Sequence, residues 1–153
     1  MLGQLLVVGL LLTAGNVSVE AVYPNPVTHG DTGEFVVLEV PAGTSVRNVT
    51  LTDGEDSIAL PDIQTDHRVA IAGNATVAQT LFDLPVYEVE DPLSLSDGGE
   101  RVAVTTGNRT LDSLSYPAAP EGELYRAGTW IRPGRSSVPP IVGTDVPVSA
   151  FVL

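Results

Sequence analysis

Four groups of side chains in this sequence have the types and spacing to do chemistry. His29, Asp31 and Glu34 lie in the turn-like stretch HGDTGEFVV, and Asp53, Glu55 and Asp56 surround Gly54. Oxygen ligands delivered from a turn suit a cation such as Ca²⁺. Neither group has the alternate acid spacing and central glycine of an EF-hand loop. The competing reading is structural: Gly30 and Gly33 make a turn, Asp31 bonds the backbone, and Glu34 opens a strand. The third group is the sole Trp130 with Arg126, Arg132 and Arg135, which forms either a recognition patch, with cation–π contacts, or an aromatic packed across the edge of the domain.

The fourth group is a set of Asn-x-Ser/Thr sequons at Asn16, Asn48, Asn74 and Asn108. The chain has five Asn, and the fifth, Asn25, precedes Pro26. With Ser and Thr together at 24 of 153 positions, chance places about one sequon among them. The enrichment points to an exported, glycosylated surface. Catalysis finds little support by comparison. There are two His, no Cys, no Ser-His-Asp spacing and no Gly-rich phosphate loop, so no catalytic residue and no cofactor are expected.

The composition agrees. Nineteen acids face seven bases for a net charge of −12, and all seven bases are Arg. Such a surface repels phosphate backbones and anionic lipid head groups, so neither nucleic acid nor a membrane surface is an expected partner. Carboxylates without Lys read as adaptation to high salt. The absence of Cys excludes disulfides and thiolate metal sites.

These groups must be positioned by strands. Apolar residues make up 43% of the chain and aromatics 5%, with Val prominent, and β-branched residues favour pleated surfaces. Residues 1–15 have the length of a signal-peptide apolar core ending in small residues, too short to span a bilayer comfortably. No membrane span is expected once that leader is cleaved. Period-two alternation then predicts strands over 17–23, 34–40, 45–53, 57–60, 67–73, 84–89 and 109–116. The segment 34–40 is apolar on both faces and reads as central. The stretch 93–107 reads as a hairpin across Asp97-Gly98-Gly99, with Val102 and Val104 inward. No full helix is predicted, only one turn near 74–81. The expectation is an all-β, immunoglobulin-like sandwich of about seven or eight strands over 16–117, with a small barrel as the alternative. Residues 118–153 read as an irregular Pro/Gly/Arg-rich extension or linker.

The strand-bearing stretches resemble those of the lamin tail domain family. VYPNPVTHGDTGEFVVLEV (22–40) is similar to its first strand, Asn-Pro turn and Glu-Phe strand. VTLTDGEDSIALP (49–61), RVAIAG (68–73), LSLSDGGERVAV (93–104) and LSY (114–116) continue the likeness. It covers about residues 17–117 and departs where Val49-TLTD lacks the usual Gly-Trp and Pro41-Ala42-Gly43 replaces Asn-Gly. The resemblance implies an immunoglobulin-like sandwich with an accessory, non-catalytic role, secreted or at the cell surface, its partner a protein or cell-surface component. Residues 119–140 further resemble the linker of exported phospholipase D-like proteins of salt-loving archaea. This suggests an alternative, that the chain is the N-terminal accessory domain of a phosphodiesterase. The His-x-Lys-x4-Asp motif of that catalytic domain is absent from this chain, which has no Lys.

Overall fold

The structure, a computed structural model, describes residues 16–27, 33–63, 67–81 and 83–132. Two sheets pack face to face. The larger is built from β1 (Ser18–Tyr23), β2 (Phe35–Glu39), β5 (Arg68–Ala72), β6 (Val86–Glu88), β9 (Leu124–Arg126) and β10 (Thr129–Ile131), in the order β10-β9-β1-β2-β5-β6. The smaller contains β3 (Thr50–Thr52), β4 (Ser57–Ala59), β7 (Glu100–Thr106) and β8 (Arg109–Tyr116), in the order β4-β3-β7-β8. The chain is therefore all-β and sandwich-like, with open sheets rather than a closed barrel.

β2 is central, as its two-faced apolar pattern predicts: it pairs with β1 on one side and β5 on the other. Val36 and Leu38 turn into the main core between the sheets, with Val69, Ile71, Val102 and Val104. Phe35 and Val37 point the other way, into a second, smaller core. That core exists because α1 (Ala75–Leu81) covers the outer face of the large sheet through Ala78 and Leu81. Tyr23 and Phe35 stack there with centroids 5.0 Å apart. The helix also provides the crossover that lets β6 run parallel to β5.

Three expectations need correction. The predicted hairpin across Asp97-Gly98-Gly99 is a turn only. β7 begins at Glu100 and pairs with β8 across Gly107-Asn108 instead. Leu93 and Leu95 are buried, but the amide of Leu95 donates to the Glu34 carboxylate rather than to a ladder. Second, β3 starts at Thr50, and Asn48 before it sits in a left-handed turn (φ 66°). Third, the stretch expected to be irregular beyond residue 117 adds two strands. β9 pairs with β1, and β10 pairs with β9. Gly122 and Gly128, both at positive φ, flank β9, and β9 and β10 are each only three residues long, which is why the local composition reads as linker. The count is ten strands among the described residues.

The ladders also fix the two ends of the sandwich. Ser18 pairs with Glu39 and Glu39 with Arg68; Thr50 pairs with Thr105, and Thr106 with Arg109. Between the sheets, the Val19 amide bonds Asp112 in β8. Tyr116 at the end of β8 meets Trp130, whose partner Tyr125 pairs with Val22. The entry to β1, the residues before β3 and the β7–β8 turn therefore lie at one end. The opposite end gathers the exposed or half-exposed acids Asp53, Glu55, Asp56, Asp91, Asp97 and Glu121. Repulsion among them extends over ~10 Å at 0.1 M salt and only a few ångströms in molar salt. The thermal midpoint is expected to rise between about 0.1 and 3 M NaCl. An unchanged midpoint in a calorimetric series would contradict this.

Candidate functional site

Strand β1 carries a bulge that shapes an open recess on the surface. Val19 pairs with Leu38 and Ala21 with Val37, leaving Glu20 as the extra residue. A bulge re-aims a side chain and frees ladder groups. Glu20 accordingly turns into a groove of about 580 Å³ also lined by Glu39, Arg68, Asp112, Tyr125 and Arg126. Its Oε1 accepts from Arg68 Nε at 2.6 Å, and its Oε2 lies 3.0 Å from Arg126 Nη2. The Glu20 side chain is 16% exposed, whereas those of Arg68 and Arg126 are 38% and 41% exposed. One carboxylate thus holds two guanidiniums whose outer faces reach solvent. The freed Val19 amide donates to Asp112 Oδ2 at 2.8 Å, joining the two sheets beneath the groove. Chemically, the groove offers charge-assisted donors to an anionic or polar group, and the exposed Ser113 and Ser115 also line it.

Of the proposed recognition patch, Arg126 lines this groove. Trp130 packs edge-on against Tyr116 (6.2 Å) and tilted against Tyr125 (4.9 Å), along the domain edge. Arg132 is 3.5 Å from Glu123, and Arg135 lies outside the described residues. The structure therefore brings Arg126 and Trp130 to neighbouring strands but engages Trp130 in packing. Glu20, Arg68 and Asp112 escaped the sequence reading. Their one visible signal is the break in alternation after Glu20, where Ala21, Val22 and Tyr23 are all buried.

Of the first candidate cation cluster, His29 and Asp31 lie outside the described residues. Glu34 is buried, at 5% exposure, and its Oε1 accepts from the Leu95 amide at 2.6 Å. In the second, Asp53 Oδ1 accepts from the amides of Glu55 and Asp56 at 2.8 and 2.7 Å, a turn that folds back on itself. Among the described residues no three His, Asp or Glu stand together as metal ligands. A cavity of about 10 Å³ beside Glu34, Leu93 and Leu95 is too small for any organic ligand.

At the acidic end, Tyr116 ties β8 to the turn before β7. Its hydroxyl lies 2.8 Å from Ser96 O and 3.2 Å from Glu100 Oε2, which also accepts from the Ser96 amide. Burial, then the Glu100 charge and hydrogen bond, push the Tyr116 hydroxyl well above its ordinary pKa of 10.0. A group whose pKa is raised by folding contributes stability that is complete below the unfolded value and lost as pH rises above it. Stability is expected to fall above about pH 10, and Tyr116→Phe to flatten that fall. Chemical denaturation at pH 8 and pH 11 measures both slopes, and equal slopes would refute the assignment.

The sequons divide. Asn16, Asn48 and Asn108 are exposed. Asn74, which a glycosylated surface would leave exposed, is half-buried, and its Oδ1 accepts from the Val77 amide at 3.1 Å and caps α1. Among the described residues, no helix is long and apolar enough to cross a membrane. Comparisons with family models, curated proteins and solved structures find no match for this chain.

Proposed function

We propose that this chain is an exported, glycosylated, non-catalytic module of immunoglobulin-like type, which binds or positions a partner at the cell surface through the groove around Glu20. The observation that carries the reading is how the fold uses its acids. Glu34 and Asp112 bind backbone amides, Glu20 holds two arginines, and Glu100 binds an amide and a tyrosine. These carboxylates stiffen a scaffold. A general acid or base, by contrast, must have its proton within reach of a substrate. The outer faces of Arg68 and Arg126 supply the recognition chemistry, suited to carboxylate or other anionic groups on a surface component. The resemblance to lamin tail domains supports the same accessory role.

The test has two arms. Fractionation of source cells is expected to recover the chain in the medium or the envelope, and recovery in the cytosol alone would overturn the export half. The purified full chain is expected to sediment with isolated cell envelopes, and Arg126→Ala to weaken that retention several-fold. Retention unaffected by both Arg126→Ala and Arg68→Ala would remove the groove from the proposal.

A further inference from the structure

We infer that the fold sorts its sequons: Asn48 and Asn108 carry N-linked glycans side by side on one end of the sandwich, and Asn74 stays bare. The inference rests on the exported reading above and goes beyond it by distinguishing sites that the sequence alone treats alike.

The register places the pair. Thr50 of β3 lies opposite Thr105 of β7, so the chain just before Thr50 runs beside the Gly107-Asn108 turn. Asn48 is exposed in a left-handed turn, and Asn108 is exposed at the tip of the β7–β8 hairpin. Among the described residues, neither side chain makes a hydrogen bond that would have to break. At each site the amide Nδ2 is free to attack C1 of a glycan activated as a polyprenyl phosphate or pyrophosphate ester. The N–C1 bond forms, the C1–O bond to the phosphate breaks, the lipid phosphate leaves with the bond electrons, and one amide proton passes to a base of the transferase.

Asn74 is held differently. Its Oδ1 accepts from the Val77 amide, and Thr76, the sequon hydroxyl, lies inside the first turn of α1. A transferase must lift the amide and that hydroxyl off the surface together. At Asn74 this unwinds the turn and removes its cap. The site also lies at the other end, since Ala72 pairs with Phe35 and Phe35 with Tyr23. The chain leaves by that end too, because Ile131 pairs with Leu124. The carbohydrate then covers the end away from Arg132. Asn16 stands at the glycan end and adjoins the expected leader.

The test is glycopeptide mapping of the full chain purified from source cells, with the protein's location recorded in the same preparation. Hexose-bearing peptides are expected at Asn48 and Asn108, with an unmodified peptide at Asn74. Asn48→Asp and Asn108→Asp should each lower the mass of the exported protein by one glycan. Asn74→Asp keeps a capping oxygen and should leave the glycan mass unchanged. A glycan at Asn74, or an exported chain bare at Asn48 or Asn108, overturns the inference while the export reading stands. A chain confined to the cytosol and bare everywhere overturns both.

Discussion

Gly99→Ala is expected to destabilise the protein by about 3–5 kcal/mol, the sum of backbone strain and a steric clash. Gly99 has φ of 101°, and a Cβ built there would lie 2.7 Å from Tyr116 O and 2.9 Å from the Pro117 carbonyl carbon. Both are backbone atoms at the end of β8, so they cannot swing aside as a side chain would. Gly54 provides the control. Its φ of 96° is nearly the same, yet nothing lies within 4 Å of its Cβ position. Gly54→Ala therefore reports strain alone, about 1–3 kcal/mol. Denaturant midpoints for both variants separate the two effects. If the two losses were equal, the close approach of the Ser96–Gly99 turn to β8 would not exist in solution.

Removing the Glu34 carboxylate is expected to cost about 2–4 kcal/mol in Glu34→Ala. The carboxylate is buried at the start of β2, and its bond to the Leu95 amide is charge-assisted. Alanine leaves that amide without its partner in the core, beside Leu93 and Leu95. Glu34→Gln keeps an acceptor oxygen and should lose less than half as much. The loss should also appear locally, as faster hydrogen exchange at Leu95. A Glu34→Ala variant within ~0.5 kcal/mol of the parent, the range of ordinary surface substitutions, would show that the strut bears no load.

The same residues show how far the sequence could be read. β2 was legible because a strand buried on both faces needs an unbroken apolar run, and Phe35–Leu38 is one. The faces of β5 and β7 followed from period two, with Val69, Ile71, Val102 and Val104 all inward. Leu93-Ser94-Leu95-Ser96 has the same alternation and buries the same alternate residues, yet it forms no strand. Alternation reports which side chains are inside, and here a side-chain carboxylate from another element takes the Leu95 amide. α1 is hard to read beyond one turn because Thr76, Val77 and Thr80 are β-branched. Its clearest sign is Asn74, which caps the helix and also opens a sequon. β9 and β10 are too short to show a period. The groove depends on a one-residue insertion in β1; the run Ala21-Val22-Tyr23 breaks the alternation there, but only the partner strand shows which residue is the extra one.

The opposed entry and exit of the sandwich have a mechanical meaning. β1 begins at one end with Ser18, and β10 finishes at the other with Ile131; the two run in the same direction with β9 antiparallel between them. Tension between a body attached before β1 and one attached after β10 would act lengthwise along these strands. Their backbone bonds would then be loaded together in shear, rather than opened one at a time from an edge. Forced unfolding is governed by the unfolding rate, and a ladder that must fail as a unit unfolds slowly under load. A module threaded in this way would behave as a tether, holding its two neighbours at a fixed separation while the surrounding fluid pulls on them.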